Sequence, residues 1–184
     1  MTNEQFLVQR VRHDPEAFRE LYRRYFPRVY AFVAWRVRRA QDAEDVTAEV
    51  FMQVVRGLER FENRGDGAFA AWLFRIAHNQ VSQFYRRHRP ETEPVSLDEL
   101  PEIQAHHLAP DSALLRKEQF AHLSALIADL PPRRRDILLL KFFGGLRNQE
   151  IARMLNLDER TVASHLSRAL DDLRRLYEEE PRHE

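Results

Sequence analysis

Residues 158–168, DERTVASHLSR, carry side chains of the kinds that meet DNA phosphates and base edges. Val162, Leu166, Ala169 and Leu173 recur at helical spacing and claim one face. Arg160, Thr161, Ala163, Ser164, His165 and Arg168 are thereby left to the other, on a helix whose N-terminal end would enter a major groove. A second constellation is acidic. Asp42, Asp45 and Glu49, at steps of three and four, set three carboxylates on one solvated helical strip. That strip favours a helix N-terminus through the dipole, or a basic partner. As a hydrolase site it lacks a desolvating pocket, so no catalytic residue is assigned. A third group, Arg75, Asn79, Ser82 and Arg86, shares one helix side and suits phosphate contact and base stacking. His106 and His107 have no companion ligands at defensible spacing, and the chain has no cysteine, so no metal site and no cofactor are expected.

Helices must position these groups. With 184 residues, 43% hydrophobic content and only five glycines, the chain is read as all-α. Residues 146–176 read as a helix-turn-helix. Ile151, Ala152 and Leu155 form the apolar face of its first helix, Asn156 supplies the left-handed turn residue, and Asp158 caps the second helix. Upstream, Asp14-Pro15 opens a helix, Pro27 restarts it, and a third helix begins at Asp42 with Ala43, Val46, Val50, Val54 and Leu58 inward. Residues 61–71 form a loop, and a fourth helix spans 71–89 with Leu73, Ile76, Ala77, Val81 and Phe84 inward. Residues 90–112 hold four prolines, six acids and no basic residue, the signature of a stiff, self-repelling linker. A further helix carries Leu114, Leu115, Phe120, Leu123 and Leu126, and another runs from Pro132 to Gly144-Gly145. The expected domains are 1–90 and 113–184, each of four helices, joined by an acidic, proline-containing linker over 91–112.

The zero net charge conceals an asymmetry. Residues 1–90 carry 16 Arg and Lys against 11 Asp and Glu, 91–112 carry none against 6, and 113–184 carry 13 against 12. A chain that only coats nucleic acid would be basic throughout, so local DNA contacts and another partner are expected. No apolar run approaches a membrane span and the start is not a signal peptide, which reads as cytoplasmic, with no membrane insertion.

DPEAFRELYRRYFPRVY, DAEDVTAEVF, WLFRIAHN, LPPRRRDILLLKFFGG and EIARMLNLDERTVASHLSRAL, in this order and spacing, resemble the extracytoplasmic-function sigma factors of bacterial RNA polymerase, from about residue 12 to 177. The resemblance implies a first domain, region two, that binds the clamp of core RNA polymerase and melts the minus-ten promoter element. It implies a second, region four, that reads the minus-thirty-five element. Asp42, Asp45 and Glu49 match the clamp-docking helix. The 61–71 loop matches a pocket for a base flipped from the unpaired strand, with Phe61, Asn63 and Phe69 as candidates. Arg75, Asn79 and Arg86 match the promoter-facing side of the next helix. Helix 132–143 matches the surface that meets the polymerase flap, and the acidic linker matches the segment that threads towards the active site. In region four, Arg147, Asn148, Arg160, Thr161, Ala163, Ser164, His165 and Arg168 are the implied contacts to promoter DNA. An anti-sigma factor is the implied inhibitor, and a stress or envelope response the implied setting.

Departures from the family pattern accompany the match. Ala48 stands where a glutamine is frequent, and Arg147 where a Ser or Thr usually forms a capping box with Glu150, so the cap is expected to be lost or to move to Asn148. The recognition helix reads Arg160-Thr161-Val162-Ala163-Ser164-His165 where relatives read Gly-Thr-Val-Lys-Ser-Arg. The competing function is a free-standing helix-turn-helix transcriptional regulator.

Overall fold

A computed structural model of the chain describes residues 3–11, 13–37, 39–63, 65–88, 122–123 and 125–179. It divides into two compact units, Met1–Pro101 with Phe143–Leu146, and Glu102–Phe142 with Arg147–Glu184. The expected linker, the capping residues at 111–112, the apolar positions at 114, 115 and 120, and the histidine pair at 106–107 all lie outside the described residues. Among the described residues there is no strand.

The first unit contains α1 (Asn3–Arg10), α2 (Pro15–Val37), α3 (Ala40–Gly57), a 3-10 turn (Leu58–Arg60) and α4 (Ala68–Arg87). Asp14 opens α2 as expected, its carboxylate accepting the Glu16 amide at 2.9 Å. Two expectations need correction. Pro27 does not restart a helix, because α2 runs through it without interruption. A mid-helix proline costs about 3 kcal/mol. Here its ring is exposed, while Leu21, Tyr25, Val29, Phe32 and Val33 on either side are each at most 2% exposed. At about 1.5–3 kcal/mol per buried side chain, burial outweighs the lost hydrogen bond. The third helix begins at Ala40 rather than Asp42, with Arg39 in the capping position in extended backbone and no side-chain cap.

Helix α3 packs on both α2 and α4, and α2 also meets α1 and α4. The expected inward set of α3 is buried throughout: Ala43, Val46, Val50, Val54 and Leu58. From α4, Leu73, Phe74, Ala77 and Val81 are fully buried, and Phe74 meets Phe32 edge to face at 5.7 Å. Where α3 ends, a Cβ on Gly57 would lie 2.8 Å from the Trp72 ring, so the close approach of α3 and α4 requires glycine there.

In the second unit, residues 125–129 are helical, followed by α5 (Pro132–Phe142), α6 (Asn148–Leu155) and α7 (Glu159–Glu179). Helix α7 packs on α5 and α6. The core gathers Leu126, Ile127 and Leu130, four consecutive residues of α5 (Ile137, Leu138, Leu139, Leu140), Ile151 and Ala152 of α6, and Val162 and Ala169 of α7. Leu123, expected inward, is 43% exposed. Arg134 of α5 is ion-paired with Asp172 of α7, tying the two helices together.

Candidate nucleic-acid interface

The turn between α6 and α7 forms as its residues dictate. Asn156 takes the left-handed conformation (φ 54°, ψ 52°), and the Leu157 amide closes on the Ala152 carbonyl at 2.9 Å. Asp158 then caps α7. Its carboxylate accepts the Thr161 amide at 2.7 Å and the Thr161 hydroxyl at 2.6 Å, and those two bonds hold its carboxyl below the usual carboxylate range. The capping of α6 differs from expectation. Arginine has no acceptor atom, so Arg147 cannot make the half of the box that Ser or Thr supplies. The reciprocal half survives, because Glu150 accepts the Arg147 backbone amide at 2.7 Å and its guanidinium at 2.8 Å. The cap is therefore neither lost nor moved to Asn148, whose side-chain oxygen instead accepts Lys141 Nζ at 3.1 Å.

With Val162 and Ala169 buried, α7 exposes Arg160, Ala163, Ser164 and Arg168 together. Thr161 is half-buried and its hydroxyl is committed to Asp158. His165 is half-buried at the margin of the strip, its Nδ1 enclosed without a hydrogen-bond partner. Sequence reasoning missed Ser167 and Asp171, both exposed on the same strip. Their three-residue spacing from Ser164 and Arg168 respectively was the available signal.

In the first unit the acidic strip on α3 forms, with a qualification at its C-terminal end. Asp45 is exposed, and Asp42 and Glu49 are half-exposed. Glu49 accepts Gln53 Nε2 at 2.6 Å and lies 3.7 Å from the Arg56 guanidinium, so part of its charge is answered within its own helix. Beside the carboxylates stand exposed Ala48, Met52 (51% exposed) and Val55 (52%), an apolar margin that sequence reasoning overlooked.

The loop before α4 turns on Gly65 (φ 116°) and Gly67 (φ 76°), conformations that favour glycine. Phe61 and Phe69 lie beneath it, 8% and 4% exposed. Their rings meet edge to face at 5.7 Å, with Trp72 centred 4.7 Å from Phe61 and Tyr25 5.3 Å from Phe69. Asn63 is on the surface, its side-chain oxygen accepting the Gly65 amide at 3.3 Å. A cavity of about 230 Å³ adjoins the loop, lined by Val8, Gln9 and Val11 on one side and Leu58, Phe61, Glu62 and Asn63 on the other.

Along α4, Arg75, Asn79 and Arg86 are exposed as expected, while Ser82 is half-buried and donates to the His78 carbonyl at 2.8 Å. Arg87, His88 and Tyr85 extend the exposed surface, and the His88 ring stacks on Phe84 at 4.4 Å. This is a basic face with interleaved aromatic rings, which suits a nucleic-acid backbone and its bases. Among the described residues no cluster of three or more metal-ligating side chains occurs, and no helix is long and apolar enough to cross a membrane.

Comparison with known proteins accounts for both units. Sigma-70 region 2 matches residues 21–91, and Sigma-70, region 4 matches residues 121–173. The chain is 34% identical to the RNA polymerase sigma-H factor of Pseudomonas aeruginosa over 90% of its length and 89% of the relative's. It is 32% identical to the ECF RNA polymerase sigma-E factor of Escherichia coli over 90% of each chain, and to ShbA of Streptomyces griseus over 94% of each. The fold is shared with two solved structures. One is CnrH in complex with the cytosolic domain of CnrY (TM-score 0.67, 22% identity, 97% of this chain and 99% of that one). The other is RpoE in complex with the anti-sigma factor NepR from Bartonella quintana (TM-score 0.68, 21% identity, 89% and 98%). With two family regions in order along one chain, and relatives matched over nearly their whole length, the chain belongs to the extracytoplasmic-function sigma factors, the subunits that direct RNA polymerase to promoters.

Proposed function

We propose that this chain is a promoter-specificity subunit without catalysis of its own, working in the cytoplasm on core RNA polymerase and promoter DNA. The observation that carries the reading is the presence, on separate units of one chain, of a carboxylate strip with an apolar margin and a free recognition strip. Asp42, Asp45 and Glu49 meet basic side chains of the polymerase clamp, and Met52 and Val55 supply the desolvated contact that charge alone does not. The exposed side of α4, through Arg75, Asn79 and Arg86, takes the minus-ten strand. Phe61 and Phe69 hold the 61–67 loop from below, and Asn63 faces the unpaired bases. Arg160, Ala163, Ser164 and Arg168 meet the minus-thirty-five element. Arg147 and Asn148 lie at the start of α6, where backbone amides face an approaching phosphate. The domains are residues 1–90 and 113–184, with the acidic linker between them passing through the polymerase and α5 meeting the flap. An anti-sigma protein holds the factor inactive; the similar fold of RpoE is solved in complex with the anti-sigma factor NepR.

Run-off transcription with purified core polymerase tests this. The chain is expected to confer initiation at a discrete set of promoters and to bind them poorly alone. Tight, sequence-selective duplex binding by the isolated chain, with no effect on core polymerase, would instead make it a free-standing regulator.

A further inference from the structure

His88 and His165 differ at one ring nitrogen. His88, just past the end of α4, donates from Nδ1 to the Phe84 carbonyl four residues back at 3.1 Å. His165, in the second turn of α7, has its Nδ1 enclosed with no hydrogen-bond partner. We propose that His165 is a specificity-determining residue of α7: its neutral ring carries the proton on Nε2 and donates it to guanine on the major-groove edge of the minus-thirty-five element. The inference rests on the promoter-recognition reading and names the base that one position of the strip selects.

A neutral imidazole carries one N–H and one bare nitrogen, and the hydrogen bond made at one nitrogen sets the role of the other. Where a carbonyl accepts from Nδ1, as at His88, Nε2 is left an acceptor. At His165 nothing accepts from Nδ1. Groups at helical spacing on the same side of α7 are engaged elsewhere. Thr161, four residues back, gives its hydroxyl to Asp158 at 2.6 Å, and Asp172, seven residues on, is ion-paired with Arg134 and Arg175. An enclosed N–H without an acceptor forfeits its hydration outright and is rarer in folded proteins than an under-satisfied acceptor, so the proton goes to Nε2. The ring is half-buried with Nδ1 inside, so its exposed edge is the one that bears Nε2. That edge adjoins exposed Ser164 and Arg168, on the strip that α7 leaves free. The outward group is thus a donor and nothing else. In the major groove guanine presents two adjacent acceptors, N7 and O6, whereas adenine sets an amino donor beside its N7 and cytosine offers a donor alone. Thymine has a single acceptor, O4, with a methyl group beside it. A donor-only group is therefore satisfied best by guanine and least by cytosine. A phosphate oxygen would accept the same proton, but a phosphate contact carries no base preference, which separates the two.

The test uses the full chain, alone and assembled with core polymerase. In the free chain, in mildly alkaline buffer, the NMR shifts of the two ring nitrogens distinguish N–H from bare nitrogen, and the His165 signals are assigned by their loss in His165→Ala. Protonation at Nε2 is expected. Holoenzyme is then titrated with promoter duplexes carrying each of the four base pairs at each minus-thirty-five position in turn. Wild type is expected to prefer guanine to cytosine at one position by about tenfold, and His165→Ala to reduce that preference about fivefold. His165→Gln, whose amide both donates and accepts, should bring adenine level with guanine at the same position, a gain that misfolding cannot produce. Unchanged preference in either variant overturns the assignment. So does an equal loss of affinity for every sequence, which would place His165 on a phosphate. A ring protonated at Nδ1, in a chain that directs initiation, overturns this inference and leaves the promoter-recognition reading standing. Absence of promoter-directed initiation by wild type would reject both.

Discussion

Gly57→Ala tests whether the aromatic support of the loop before α4 is built as described. Gly57 is the last residue of α3 with ordinary right-handed backbone (φ −93°, ψ −13°), so alanine is conformationally acceptable there and would by itself stabilise the helix by about 1 kcal/mol. The added Cβ, however, would lie 2.8 Å from Trp72 Cζ2 and 3.4 Å from Cη2. Overpacking of that kind costs about 1–3 kcal/mol. Trp72 cannot swing away without disturbing Phe61 and Phe69, whose ring centroids lie 4.7 and 5.8 Å from its own. The net expectation is a loss of about 1 kcal/mol, a fall in Tm of roughly 4–8 °C for a domain of this size, read by thermal melting. The same substitution made in a Trp72→Val background should be stabilising, so a double-mutant cycle should return a coupling of at least about 1 kcal/mol. If Gly57→Ala raises Tm in the wild-type background, Trp72 does not lie over α3 and the account of the loop's support is wrong.

Further expectations concern the caps and strips. In Asp158→Asn the recognition helix keeps an acceptor for the Thr161 amide but loses the carboxylate's charge. Because the folded carboxyl is held below its ordinary value, its stabilisation is present above that value and fades as pH falls through the folded one; the gap in Tm between wild type and variant should therefore be widest near neutrality and close below about pH 3.9. Glu49→Lys should reduce holoenzyme assembly by about tenfold or more with a nearly unaltered circular-dichroism melt, since the local contacts it removes are half-exposed and worth about 1 kcal/mol at most; normal assembly would remove α3 from the clamp. Ala163→Lys should steepen the dependence of log promoter affinity on log salt by about 0.9 at nearly unchanged stability, and an unaltered slope would mean that this face of α7 does not meet DNA.

What the sequence disclosed follows from how far its signals reach. The faces of α3 and α7 were legible because Val46, Val50 and Val54, or Val162 and Ala169, repeat over several turns, and a long periodic pattern has one buried solution. Asn156 and Asp158 were legible because turn and cap chemistry is local. Helix α1 was not, since NEQFLVQR spans only eight residues and is too short to show sustained periodicity. Pro27 misled for the opposite reason: its local signal is strong, but the buried residues on both sides decide the outcome. Phe61 and Phe69 resisted reading because an aromatic residue in a loop looks the same whether it lines a surface or underpins it. Only the edge-to-face contacts with each other and with Tyr25 distinguish the two. Arg147 was expected to lose the α6 cap because its side chain has no acceptor, whereas Glu150 needs only its backbone amide.

If α7 and α4 meet DNA as proposed, the charge distribution explains why such a chain would need a polymerase to find its promoters. The recognition strip of α7 carries two arginines, Arg160 and Arg168, and Asp171 follows them on the same side. Two phosphate contacts correspond to a salt slope of only about −1.8, against about −10 for a repressor that binds operators alone. The basic face of α4 adds Arg75, Arg86 and Arg87, but on the proposed reading it would face bases that a duplex keeps stacked, and opening them costs about a few kcal/mol that three cations do not offset. Neither strip alone would therefore have the electrostatic attraction to hold duplex DNA at physiological salt. Fixing both on one polymerase makes the second contact intramolecular, raising its effective concentration without any new contact in the chain. The carboxylates of α3 then serve both affinity and discrimination. Docked on the clamp as proposed, they would attract its basic side chains and repel DNA phosphate from the same helix, so one surface would both commit the chain to polymerase and keep it off nonspecific DNA.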